Sequence, residues 1–146
     1  MSWIGHHLTT LPEAALLWTD SSLDRNLGQI FAHIVERQFE CVQRITGEAG
    51  PVVPPPLSEE GLEVVRALAE TAGEKLRSLA TANSERTFSE MTNEGPIRYP
   101  SSVLIAGTLE HSMLHREQLL VILQAHDGLG NLPELDHETL AFEEWF

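Results

Sequence analysis

The sequence predicts an all-α fold, a small helical bundle, and three observations carry that prediction. Apolar residues recur at three- and four-residue spacing in three long segments. Those segments open on capping residues such as Ser58 and close near stop signals such as Gly47 and Gly128. Period-two alternation is weak throughout, so no strand is expected. With 146 residues and 42% apolar content, the chain is expected to form one domain over residues 1–146 with a sizeable core.

Taken in order, the first element reads as a short helix. Thr10 is placed to cap it, Pro12 falls near its first turn, and Glu13 suits the positive end of its dipole. It is expected to end near Trp18, in the polar run Thr19-Asp20-Ser21-Ser22. A long helix follows from about Asp24 to Ile45, with Leu27, Ile30, Phe31, Ile34, Cys41, Val42 and Ile45 on its apolar stripe and Gly47 as its stop. The segment from Pro51 to Pro56 cannot continue a helix and predicts a stiff, extended connector.

Ser58 then caps a helix whose seam is Leu62, Val65, Ala69, Ala72, Leu76 and Leu79, a narrow stripe suited to bundle packing. Asn83 to Pro100 carries two prolines and Gly95 and predicts a long, mostly irregular connection. Ser101 or Ser102 is expected to cap the last long helix, which runs to about His126. Beyond it, Phe142, Trp145 and Phe146 suggest a short docked helix in an otherwise acidic tail.

Composition removes several function classes. The net charge is −13, from 22 acidic and 9 basic side chains, and no basic stripe offsets it, so nucleic acid is not an expected partner. No apolar run exceeds five residues, far short of a membrane span, and no basic segment precedes a hydrophobic one in the manner of a secretory leader. Cys41 is the only cysteine, which excludes an internal disulfide and suits a cytoplasmic protein; inside a helical stripe it reads as a small core residue.

The histidines carry the chemistry. On the last long helix Glu110, Glu117 and Gln124 are seven apart and define a polar face. Opposite them fall Leu104, His111, His115, Leu119 and Ile122, which puts two imidazoles in the middle of the buried stripe. Buried imidazoles need partners, and a pair at i and i+4 converges on a point a few ångströms out, as in helical metal sites. Spacing alone is weak, because 7 histidines in 146 residues give roughly 0.3 such pairs by chance; the placement opposite the polar stripe is what distinguishes this one. A third ligand has to come from elsewhere. His33 lies about 100° from the stripe centre at Ile34. It is either a ligand pointing into a crevice or a boundary histidine with one ordinary hydrogen bond.

Arg37, one turn beyond His33, is a candidate to line the same crevice and receive an anionic group, or else a surface arginine paired with an acid. Gln118 shares the inner face with His115 and is a candidate to orient it. Glu36 points away from the stripe and reads as solvated, and His126 as a cap on its own helix. His6, His7 and His137 read as exposed.

Two stretches resemble a known family. Leu27-Gly-Gln-Ile-Phe-Ala-His33-Ile-Val-Glu-Arg-Gln-Phe, closing on Arg44-Ile-Thr-Gly47, is similar to the first block of the DinB/YfiT-like bundle proteins. Leu109-Glu-His111-Ser-Met-Leu-His115-Arg-Glu-Gln118-Leu resembles their H-x-x-x-H-R-x-Q block, and Gly128 to Asp136 their segment after the last helix. The resemblance runs from about Leu23 onward. It implies a four-helix, up-down-down-up bundle with one divalent ion, zinc or nickel, on His33, His111 and His115, and it implies a homodimer. Relatives of this kind include thiol-dependent transferases and isomerases. Two departures stand out: only about 22 residues precede the second helix, leaving the first one short, and Glu117 replaces a frequent glycine on the solvent face.

Three neutral nitrogens leave coordination positions open, which is the arrangement of catalytic sites. The expectation is a metal-dependent hydrolase or thiol-dependent transferase or isomerase acting on a small molecule, with a low-molecular-weight thiol as a candidate co-substrate. The alternative is a non-catalytic, dimeric metal- or ligand-binding bundle serving a stress response.

Overall fold

A central helix that buries more than one face organises the chain. The structure is a computed structural model that describes Leu8, residues 11–82 and residues 86–126. Helix α1, Leu27–Thr46, has 12 of its 20 residues buried, too many for one stripe, because it is packed between two other long helices. These are α2, Glu59–Thr81, and α3, Ser101–Ala125. The sequence shows a single apolar stripe on α1; Val35 and Phe39 form part of the second face and are as buried as the first.

The start of α1 is sharper than the expected Asp24. Asn26 Oδ1 accepts the Gln29 backbone N–H at 2.8 Å, and Gln29 Oε1 accepts the Asn26 N–H at 2.9 Å, a reciprocal capping box. Gly47 ends the helix with φ +76°, the left-handed conformation expected of it. The connector from Pro51 then runs extended back along α1, burying Val53 and Pro56. Its return brings Pro56 beside Gly28, where an added Cβ would lie 2.8 Å from the Pro56 carbonyl oxygen. Helix α2, capped by Ser58 as expected, therefore starts near the start of α1 and runs parallel to it, with Lys75 reaching Glu48 at 2.7 Å near its far end.

The first element is a 3-10 helix, Glu13–Leu17, shorter than the helix expected there; Thr10 lies outside the described residues. Glu13 Oε2 accepts the Glu59 backbone N–H at 3.3 Å, tying this turn to the start of α2.

The connection after α2 differs from expectation. Thr87–Thr92 and Gly95–Pro100 form an antiparallel hairpin, β1 and β2, with Phe88 opposite Tyr99 and Glu90 opposite Ile97. Pro96 and Pro100 argued against strands, but both strands of a two-stranded sheet are edges, where a missing N–H costs no ladder bond. Phe88 packs against the cluster of Cys41, Val42, Ile45, Leu76 and Ile105. Arg86 Nη1 donates to the Ile45 carbonyl at 2.7 Å, fixing the hairpin to the end of α1. Ser101 does not cap α3: its hydroxyl accepts the Arg86 N–H at 3.3 Å, and Pro100 holds the cap position without a side-chain bond.

Helix α3 then runs back antiparallel to α1. Its inner face carries the expected His115, Leu119 and Ile122, all buried. Its outer face is not wholly polar, since Val103, Met113, Leu114 and Val121 are exposed. The described chain is thus mostly helical, with three long helices and one small sheet. Among the described residues no helix is long and apolar enough to cross a membrane. The tail expected to dock through Phe142, Trp145 and Phe146 lies outside the described residues, as do His6, His7 and His137.

Candidate metal centre

Antiparallel packing of α1 and α3 brings His33 to the two histidines of α3. The three rings pack edge to face, with centroids 4.3 to 5.0 Å apart, and one ligand nitrogen from each lies within 4.8 Å of the others. His33 and His111 are partly buried and His115 is buried. His33 therefore points into the interhelical crevice, beside the two imidazoles of α3.

Of the three rings, only that of His115 is oriented by a hydrogen bond from its outer nitrogen to another described residue. His115 Nδ1 donates to Gln118 Oε1 at 2.6 Å, one turn along α3, which leaves Nε2 as the free lone pair. That Nε2 faces His111 Nε2 at 3.0 Å. His33 Nδ1 has the Glu36 carboxylate 3.7 Å away, so Glu36, although exposed, is not simply pointed at solvent as its wheel position suggests. His111 Nδ1 is buried and has no hydrogen-bond partner.

The electrostatics keep two of the three rings, His33 and His111, neutral. Burial, followed by the positive field of Arg25 and then His115, lowers the His33 pKa to about 4. Burial and then its two imidazole neighbours do the same for His111, also to about 4. The 3.0 Å between the Nε2 atoms of His111 and His115 is close to the edge of a tetrahedron around a zinc-sized ion, about 3.3 Å for bonds of about 2.0 Å. The donor set fits a divalent cation, because three imidazole nitrogens from two helices converge on one point.

Each side of the cluster opens on a different hollow. His111 borders a cavity of about 390 Å³ between α1, α3 and the hairpin, shared with Arg37, Arg44, Tyr99, Leu104 and Thr108. His33 borders a second hollow, of about 360 Å³, with Arg25, Gln29 and Glu36. Arg37 pairs with Glu40, as its surface reading expects, and it also lines the first cavity. Cys41 is buried at the edge of that cavity, and burial pushes its thiol pKa up, as expected of a core residue. His126 stacks on Trp18 and its Nε2 donates to the Thr19 carbonyl at 3.0 Å, so it pins the turn after the 3-10 helix rather than capping α3 through its side chain.

Sequence reasoning missed Arg44, Glu90 and Tyr99. Arg44 Nη2 donates to both the Glu90 carboxylate and the Tyr99 hydroxyl. Only the alternation within the hairpin, which places Phe88, Glu90 and Tyr99 on one face, signals this grouping. Arg116 was also missed: next to His115, it is 1% exposed.

The chain matches the DinB superfamily over residues 4–119, which includes all three histidines, and it belongs to that superfamily. No curated protein and no solved structure matches it.

Proposed function

We propose that this chain is a metal-dependent enzyme with a mononuclear site on His33, His111 and His115, acting on a small molecule as a hydrolase or a thiol-dependent transferase or isomerase. The observation that carries the reading is the convergence of three imidazole nitrogens within 4.8 Å beside an accessible cavity. Membership of the DinB superfamily supports it.

In this reading the three histidines hold the ion, zinc or nickel, and Gln118 fixes the His115 tautomer by accepting a hydrogen bond from its Nδ1–H. A divalent ion so held supplies Lewis acidity that draws the pKa of water or a thiol down toward about 7. Arg37 stands at the cavity wall with His111 to receive negative charge on a substrate.

Metal analysis of protein purified without a histidine tag is the test. The expected result is close to one equivalent of zinc or nickel per chain, lost in His111→Ala. Sub-stoichiometric metal, or binding unchanged by that substitution, overturns the site. Stoichiometric metal with no turnover across thiol and hydrolase substrate panels would instead favour the non-catalytic binding bundle.

A further inference from the structure

The cavity bordered by His111 has a second end with chemistry of its own. There Arg44 of α1 joins Glu90 of β1 and Tyr99 of β2 through its guanidinium. These ion-paired side chains are about half exposed, at 44% for Arg44 and 53% for Glu90, so the pair is weak and exchangeable. Leu104 and Thr108 of α3 form the facing wall. Leu104 precedes His111 by seven residues, roughly 10 Å of helix at about 1.5 Å each, so the charged end stands one small-molecule length from the histidines.

Charge balance decides what this end prefers. A simple anion on Arg44 displaces Glu90 and leaves it without its cation. A simple cation on Glu90 strands Arg44 in the same way. A group carrying both charges on neighbouring atoms exchanges one ion pair for two and strands neither. The planar guanidinium suits a carboxylate, and the Tyr99 hydroxyl beside it offers a further donor.

We propose that this end of the cavity binds the zwitterionic head of an amino-acid-like small molecule. The carboxylate lies on Arg44 and Tyr99, the ammonium on Glu90, and an apolar tail runs past Leu104 and Thr108 toward His111. Delivery of that tail to the histidines rests on the metal reading; recognition of the head does not.

The test uses L-norleucine with its two single-charge analogues, hexanoate and pentylamine, titrated into the whole chain by amide NMR, once with chelator and once with zinc. Norleucine is expected to saturate and to shift resonances around Arg44, Glu90 and Tyr99, with both analogues at least tenfold weaker. Arg44→Gln is expected to weaken norleucine tenfold or more, whereas Arg66→Gln, in a surface pair on α2, leaves it unchanged. Glu90→Gln is expected to reverse the preference toward hexanoate. If circular dichroism shows that Arg44→Gln does not fold, Tyr99→Phe and Glu90→Gln carry the comparison. Equal binding of norleucine and hexanoate, shifts confined to other surfaces, or no saturation at tens of millimolar overturns the proposal. Norleucine binding that survives in chelator and in His111→Ala separates this result from the fate of the metal site.

Discussion

His33 and His111 resist protonation until about pH 4, whereas an unfolded imidazole takes its proton near 6.5. Between those values the unfolded chain binds more protons than the folded one, so stability falls as pH drops from about 6.5 to about 4 and is unaffected by these groups above that window. Urea midpoints of metal-free protein are expected to fall between pH 7 and pH 5, and His33→Gln with His111→Gln to flatten that slope. An unchanged slope in the double variant would assign the effect to other groups. Gln118 acts one step out, through the 2.6 Å bond that fixes His115. Gln118→Leu is expected to weaken metal affinity by about 10- to 100-fold without loss of helix content, and Gln118→Glu to restore much of it, as competition with a zinc indicator would show.

The elements hold the site through a few close approaches. Gly28 lets the returning connector touch α1: a Cβ there would meet two backbone oxygens, Pro56 at 2.8 Å and Leu16 at 3.2 Å, neither of which can rotate away. Gly28→Ala is expected to cost about 1–3 kcal/mol, read as a lower urea midpoint with an unchanged m-value. The hairpin matters for a different reason. Phe88 anchors it to the core while Glu90 and Tyr99, on the same face, reach Arg44. A connection that reads as irregular thereby supplies part of the cavity wall.

At the scale of the whole molecule, the described residues leave Val103, Met113, Leu114 and Val121 of α3 exposed on the side that carries Glu110 and Glu117. The homodimer implied by the family resemblance would bury this face. Sedimentation equilibrium at micromolar concentration is expected to give twice the chain mass, and Leu114→Glu to shift the protein toward monomer; a wild-type monomer would exclude the homodimer.

Periodicity in the sequence determined the three long helices, their caps at Gly47 and Ser58, and the inward pair His111 and His115, because these depend on residues within a few positions of one another. The start of α1 at Asn26 was equally local, in a capping box between Asn26 and Gln29 that the apolar pattern concealed. His33 stayed ambiguous at the edge of its stripe until α3 packed antiparallel against α1. Only tertiary structure decided that, since the bearing of a boundary residue depends on which neighbour covers it. The hairpin and the Arg44, Glu90 and Tyr99 grouping were settled the same way, by contacts between residues up to 55 positions apart. A three-histidine site was thus half written in one helix, and the packing of a second helix supplied the rest.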